Sequence, residues 1–116
     1  SFRRAILGRK EEDYGRILEN IVAIELLRRG YDIYVGTLYD KEIDFIAYKD
    51  GKKYYIQVAY SVADDKAYER EFGAFEKLDN NSKKILITND DIDYSTSLVT
   101  HIKFKDFLLL NSLDEY

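Results

Sequence analysis

Cysteine is absent from the 116 residues, which removes disulfide scaffolds, thiolate zinc sites and cysteine nucleophiles together. One histidine, His101, is too few for most histidine-based metal sites, so any metal held by this chain is held by oxygens. Methionine is also absent and the chain opens on Ser1; the expectation is a piece of a longer polypeptide. The longest apolar runs are three to four residues, far below the ~20 needed to cross a bilayer, and no signal-peptide pattern opens the chain. A soluble, cytoplasmic protein with no membrane partner is expected. The phosphate loop of nucleotide hydrolases, a glycine-rich turn followed by Lys and Ser or Thr, is missing too, so these residues do not hydrolyse ATP by that route. A Ser-His-Asp triad would have to recruit His101, which alternates with Lys103 and has no nucleophile elbow to serve. It reads as an ordinary solvent-side residue.

What is present is enough for one compact domain: 46% of the residues are hydrophobic and 15% aromatic. The 18 basic and 22 acidic residues give a net charge of −4, which argues against a protein that grips nucleic acid by bulk electrostatics. Arg3, Arg4, Arg9 and Lys10 leave room for a local basic patch. The plainer reading is an exposed linker there, with Arg28 and Arg29 complementing a helix dipole.

Residues 1–13 lack periodicity and end in Glu11-Glu12-Asp13, which reads as a linker from a missing N-terminal part, with the domain proper at 14–116. From Tyr14 to Arg29 the apolar positions Tyr14, Ile17, Leu18, Ile21, Val22, Leu26 and Leu27 predict a helix, with Asp13 as its cap and Gly30 as its stop. The period then changes to two. Tyr31–Val35, Glu42–Tyr48 and Lys53–Tyr60 read as three antiparallel strands, the last two joined by the hairpin dipeptide Asp50-Gly51. Asp65–Leu78 reads as a helix with Tyr68, Phe72, Phe75 and Leu78 on one stripe, capped by Asp64 or Asp65. Ile85-Leu86-Ile87 is the apolar run of a strand buried on both faces in mid-sheet. Asn89–Ser97 is a loop, Val99–Phe104 a further strand, and Asp106 caps a short closing helix through Leu110. The order predicts a central mixed sheet flanked by helices.

Acidic residues set among apolar ones carry the most information, because an unpaired buried carboxylate costs several kcal/mol and demands a partner. Glu19 borders the apolar stripe of the first helix. Asp44 is embedded in Glu42-Ile43-Asp44-Phe45-Ile46-Ala47, and the hairpin folds Gln57, within Tyr54-Tyr55-Ile56-Gln57-Val58-Ala59, back beside it. The plain alternatives are a carboxylate of Asp44 bonded to a backbone amide or to Arg70, a Glu19–Arg16 pair, and a Gln57 that satisfies an edge of the sheet.

A helix with a glutamate, a strand with Ile-Asp-Phe and a strand with Gln-Val-Ala, in an αβββαβ order, resembles the PD-(D/E)XK (restriction endonuclease-like) nuclease fold. The resemblance implies a divalent cation, magnesium or manganese, held by Asp44, by Gln57 in place of the second acid, and by the main-chain carbonyl of Val58. Such a hard cation suits oxygen ligands and activates water. Glu19 matches the helix glutamate, and Ala59 falls where the family has its lysine. The glutamine removes one negative charge and the alanine removes the basic group, unless Lys66 or Arg70 reaches back from the second helix. A narrower resemblance rests on Tyr14-Gly15-Arg16-Ile17-Leu18-Glu19-Asn20, Glu25-Leu26-Leu27-Arg28-Arg29-Gly30-Tyr31, Lys41-Glu42-Ile43-Asp44-Phe45, Tyr55-Ile56-Gln57-Val58-Ala59-Tyr60 and Glu69-Arg70-Glu71-Phe72. In order and coverage these are similar to the C-terminal domain of unknown function of bacterial and archaeal AAA-type ATPases. That family implies an N-terminal ATPase module as partner, usually with a winged-helix-like region. A catalytically degenerate nuclease-like module, serving as an interaction or nucleic-acid-engaging unit, is expected. The alternatives are an active Mg-dependent nuclease with Lys66 or Arg70 as migrated basic residue, and a pure protein-interaction domain suggested by the eleven tyrosines.

Overall fold

The computed structural model describes residues 10–38, 41–76, 78–79, 81–110 and 113. Helix α1 (Lys10–Arg28) starts a turn earlier than the apolar periodicity suggests. Residues 10–13 therefore belong to the helix and not to a linker, and Asp13 lies inside it rather than capping it. Lys10, Glu11 and Glu12 are good helix formers, and acids in a first turn complement the positive end of the helix dipole, neither of which needs an apolar stripe. The remainder of the expected linker, with Arg3, Arg4 and Arg9, lies outside the described residues. Four-residue spacing puts Leu18, Val22 and Leu26 on the buried face. Ile17 and Leu27, expected on the same stripe, are 51% and 57% exposed, and Ile24 joins them on the outer face at 63%.

The helix ends as Gly30 requires. Gly30 N–H bonds the carbonyl of Leu27 and Tyr31 N–H that of Leu26, both at 3.0 Å, a Schellman closure that needs a left-handed residue, and Gly30 has φ +89°. Arg29 lies 3.3 Å from Glu25 of its own helix and also reaches beyond it. Its Nη2 donates to the carbonyls of Phe107 (3.1 Å) and Leu108 (3.2 Å), while Lys49 Nζ covers the carbonyl of Arg29 at 2.6 Å.

Strands β1 (Asp32–Leu38), β2 (Lys41–Lys49) and β3 (Lys52–Val58) form an antiparallel meander. Asp50 (φ +53°) and Gly51 (φ +79°) make the tight turn between β2 and β3. Helix α2 (Asp65–Gly73) then carries the chain to β4 (Lys83–Thr88), which pairs parallel to β3, and β5 (Thr100–Lys103) pairs parallel to β4. The result is a five-stranded mixed sheet in the order β1-β2-β3-β4-β5, closed by α3 (Phe104–Leu109). Helix α2 is shorter than its stripe implies, because after Gly73 the chain tightens into turns (Phe75 N–H to Phe72 O, Leu78 N–H to Phe75 O) that still deliver Phe75 and Leu78 to the core. Lys103, not Asp106, is the N-cap residue of α3; Asp106 sits in its first turn.

Period-two alternation sorts β3 between two cores. Tyr54, Ile56 and Val58 pack with Leu18, Val22 and Leu26 of α1, while Tyr55 and Ala59 pack with Phe75 and Leu78 on the α2 side. The chain is thus a mixed α/β domain with apolar clusters on both faces of one sheet. Among the described residues, no helix is long and apolar enough to cross a membrane.

Because a side chain at φ +89° is sterically strained, Gly30→Ala is expected to lower unfolding stability by about 1–2 kcal/mol. A urea titration checks this; an unchanged midpoint would mean that the α1 terminus does not depend on the left-handed turn.

Candidate functional site

The β2–β3 ladder runs from Lys49 opposite Lys52 to Phe45 opposite Ile56. At the next step, Asp44 and Gln57, side chains take over from the main chain. Val58 N–H donates to Asp44 Oδ2 at 2.8 Å, and Asp44 N–H donates to Gln57 Oε1 at 2.6 Å. The cause is visible on the other side of β2. Tyr34 stands opposite Ile46 but Gly36 opposite Ile43, so one residue of β1, Val35, faces two of β2, Asp44 and Phe45. Such a bulge re-aims a side chain and ends regular pairing. Beyond it β3 continues alone alongside β4, with Ala59 N–H bonded to the carbonyl of Ile87.

Helices on the two faces of the sheet bring further carboxylates to this gap. Gln57, 4% exposed, donates through Nε2 to Glu71 Oε1 of α2 at 3.2 Å. Only this amide orientation gives both the Asp44 N–H an acceptor and the Glu71 carboxylate a donor. Arg70 closes the outer side, its Nε 3.1 Å from Glu71 Oε2 and its side chain 68% exposed. Glu19 comes from α1. Burial, then the charges of Asp44 and Glu71, push its carboxyl up to about 7, against the nearby Arg16. Burial likewise raises Asp44, opposed by the Val58 N–H bond, with Glu42 raising and Arg70 lowering it further. Glu71 is raised by burial and by Asp44, against its bond to Arg70.

The sequence-predicted residues thus fall into two groups. Asp44 and Gln57 are joined directly, with Val58 bonded through its N–H, and Glu19 is coupled to them through its charge. Asp44 follows its plain alternative of a carboxylate on a backbone amide. Of the two candidate bases, it is Arg70 whose charge bears on Asp44; Lys66 is exposed in the first turn of α2, its main-chain N–H bonded to Asp64. Ala59, where the nuclease resemblance expects a lysine, is 8% exposed and packs its methyl within the α2-side apolar cluster. Glu71 went unrecognised, although the criterion that singles out Glu19 applies to it: it lies three residues after Tyr68 and four before Phe75, on the buried face of its helix.

His101 is also placed differently from its sequence reading. It is 4% exposed, packed in β5 and not on a solvent side.

These residues do not fit a divalent cation as they stand. Asp44 Oδ2 and Gln57 Oε1 each spend one lone pair on a main-chain N–H, and the Gln57 group that faces Glu71 is an NH2, which is not a ligand. Among the described residues no three acidic or histidine side chains converge on one ion position.

Fold and site together define a mixed α/β domain with carboxylates gathered where two strands of its sheet part. The chain belongs to the family described as "Domain of unknown function (DUF4143)", which matches residues 14–107. It is 48% identical over 86 residues to an uncharacterized protein of Haemophilus influenzae, covering 74% of this chain and 21% of that protein. An uncharacterized protein of Methanocaldococcus jannaschii is 40% identical over 87 residues, covering 66% of this chain and 19% of that protein. The chain therefore spans about a fifth of the length of these relatives. No solved structure matches it at a significant level.

A carboxyl raised in the folded state contributes stability that is complete below its ordinary value of 4.5 and is lost as pH rises through about 7. Asp44 and Glu71 act in the same direction. Glu19→Gln is therefore expected to flatten the fall in melting temperature between about pH 5 and about pH 8 and to be more stable than the parent at the upper end. Thermal melts across that range check it; parallel curves for the two proteins would show that Glu19 ionises freely in solvent.

Proposed function

We propose that this domain is a nuclease-like module of PD-(D/E)XK type whose cation-dependent catalysis has been lost, and that it serves as an interaction or nucleic-acid-engaging unit of a longer, cytoplasmic, ATPase-containing polypeptide. The architecture supports the nuclease kinship: a helix delivers Glu19, a meander carries Asp44 and Gln57 side by side, and a second helix crosses to a parallel strand. The observation that carries the loss of catalysis is the Gln57 amide. Both of its polar atoms are engaged within the protein, one on the Asp44 N–H and one on Glu71, where a catalytic site needs free oxygens around a metal. The packed methyl of Ala59 adds to this, since that position offers no basic group.

The active-nuclease alternative draws on one feature, the approach of Arg70 to Glu71 and Asp44. A guanidinium stabilises charge but does not give up a proton in a protein, so it replaces only the electrostatic half of a lysine's work. The ATPase module as partner comes from the sequence resemblance. The net charge of −4 confines any nucleic-acid contact to a local patch.

The test joins two measurements. Linear, plasmid and branched DNA incubated with Mg²⁺ or Mn²⁺ are expected to remain intact; cleavage that disappears in Asp44→Ala would overturn the proposal. In parallel, Gln57→Glu exchanges the bridging NH2 for a fourth carboxylate, beside Asp44, Glu71 and Glu19, which lowers the melting temperature in chelator. Mn²⁺ is expected to restore it while leaving the parent protein unmoved, and a saturable rise in the parent would show that its own gap takes a cation.

A further inference from the structure

At the C-terminal end of β4 and in β5 lies a second polar network, independent of the carboxylate gap. Its centre is the buried ring of His101. Nδ1 accepts the main-chain N–H of Tyr94 at 3.0 Å, so the ring proton is on Nε2, which donates to Thr88 Oγ1 at 2.7 Å. The Thr88 hydroxyl donates a hydrogen bond to Asp90 Oδ2 at 3.0 Å. Asp90 in turn holds the exit of β3, accepting from Ser61 Oγ (2.5 Å) and from Val62 N–H (2.9 Å). The loop from Asn89 to Val99 is thereby pinned through Asp90 at one end, while Tyr94 fixes its middle.

The residue before Tyr94 offers the same ring nitrogen an opposite partner. Asp93 Oδ1 lies 3.8 Å from His101 Nδ1 and at present accepts Ser95 N–H at 2.9 Å. At Nδ1 the neutral Nε2–H tautomer can use only the Tyr94 donor, and the imidazolium can use only the Asp93 acceptor. We propose that His101 is a proton-operated latch on the 89–99 loop: neutral, it grips the Tyr94 main chain, and on taking a proton at Nδ1 it expels that N–H and draws in the Asp93 carboxylate. One proton from solvent is bound, no covalent bond changes, and the Tyr94 N–H passes to water.

The groups around the ring set the balance. Burial disfavours the imidazolium and holds the histidine below its ordinary 6.5, as does Lys103 on the same strand, while Asp93 and Asp90 from the loop favour the charged form. Uncharged neighbours among the described residues are Thr88 at the end of β4, Leu86 opposite His101 in the ladder, Ser95, bonded to the His101 main chain, and the Tyr94 ring, 5.7 Å away. Tyr94 is also the loop's contact with α2, where it meets Tyr68 edge-on at 6.2 Å, and Tyr68 stacks on Phe72 at 4.2 Å. Opening the latch therefore loosens a loop that carries exposed Ile92 and Leu98 and unseats it from the helix that bears Glu71. A histidine depressed in the folded state contributes stability above its ordinary value, and that contribution is lost as pH falls through the folded-state value.

The experiment is an NMR titration of isotope-labelled protein from about pH 8 to about pH 5, following the His101 ring and the Tyr94 amide. The Nε2–H tautomer is expected at the start. Protection of the Tyr94 amide against exchange should then fall by roughly five- to tenfold, the equivalent of one hydrogen bond, with the midpoint of the ring. Asp93→Asn alters a side chain that is 69% exposed and removes the negative charge that favours the imidazolium while keeping an amide oxygen, so both midpoints should move together to lower pH. His101→Gln keeps an acceptor for Tyr94 but cannot take up a proton, so protection should no longer depend on pH. A Tyr94 amide that stays protected while His101 titrates, or an Asp93→Asn midpoint equal to the parent's, overturns the latch.

Discussion

Gln57 resolves a conflict built into the sheet. Where β2 and β3 part, two main-chain N–H groups, of Asp44 and Val58, face away from any strand partner, and a buried donor left without an acceptor costs about 1–3 kcal/mol. The Asp44 carboxylate satisfies one and the Gln57 carbonyl oxygen the other. That leaves the Gln57 NH2 free for Glu71, whose carboxylate is 8% exposed and requires a donor of its own. A neutral group with a donor at one end and an acceptor at the other is the one chemistry that closes this circuit without an added charge. A glutamate at 57 would face two further acids and need a cation among them.

The gap is where it is because β3 runs on past β2. Lys52 to Ile56 pair antiparallel with β2 and Tyr54 to Val58 pair parallel with β4, so Tyr54 to Ile56 lie between both and the last two residues keep β4 alone. The bulge at Asp44-Phe45, in the β1–β2 ladder, ends regular pairing on the other side. The strand thus leaves β2 near its C-terminal end, and helices on opposite faces can both reach the opening. In open α/β sheets this is the general position of sites, just beyond the carboxyl ends of the strands. Glu19 from α1 and Glu71 from α2 approach it closely enough for the charge of Glu71 to raise the Glu19 carboxyl.

Much of this was legible from local chemistry. Asp50-Gly51 and Gly30 are positions where positive φ is required, so they mark turn and terminus whatever surrounds them. The hairpin register they set is what placed Asp44 beside Gln57. Less was legible where several solutions share one pattern. Ile17, Ile24 and Leu27 are as apolar as Leu18, Val22 and Leu26, and only the sheet decides which stripe of α1 is buried. Lys10 to Asp13 are helical by propensity and dipole, which leave no apolar period to read. Glu71 was hidden by its charged neighbours Glu69 and Arg70, although its spacing from Tyr68 and Phe75 placed it inward. The bulge falls at Asp44-Phe45, neither of them a glycine, with Gly36 across from it in β1, and the burial of His101 depends on a loop pinned through Asp90 to Ser61 and Val62, 29 and 28 residues earlier in the chain.

The two polar networks follow one rule. Parallel strands that end at a sheet's rim leave main-chain donors with no next rung, and each must find an acceptor. At β3 the acceptors are Asp44 and Gln57; around the exit of β4 they are Asp90, which takes Val62 N–H, and His101, which takes Tyr94 N–H. The difference lies in what the acceptors can do next. Gln57 has fixed donor and acceptor ends and cannot exchange them, so its circuit is static. His101 exchanges an acceptor for a donor when it binds a proton, and the next residue in the loop already carries the carboxylate that the new donor needs. The same requirement that every buried N–H be met therefore yields a rigid bridge on one strand and a reversible one two strands away.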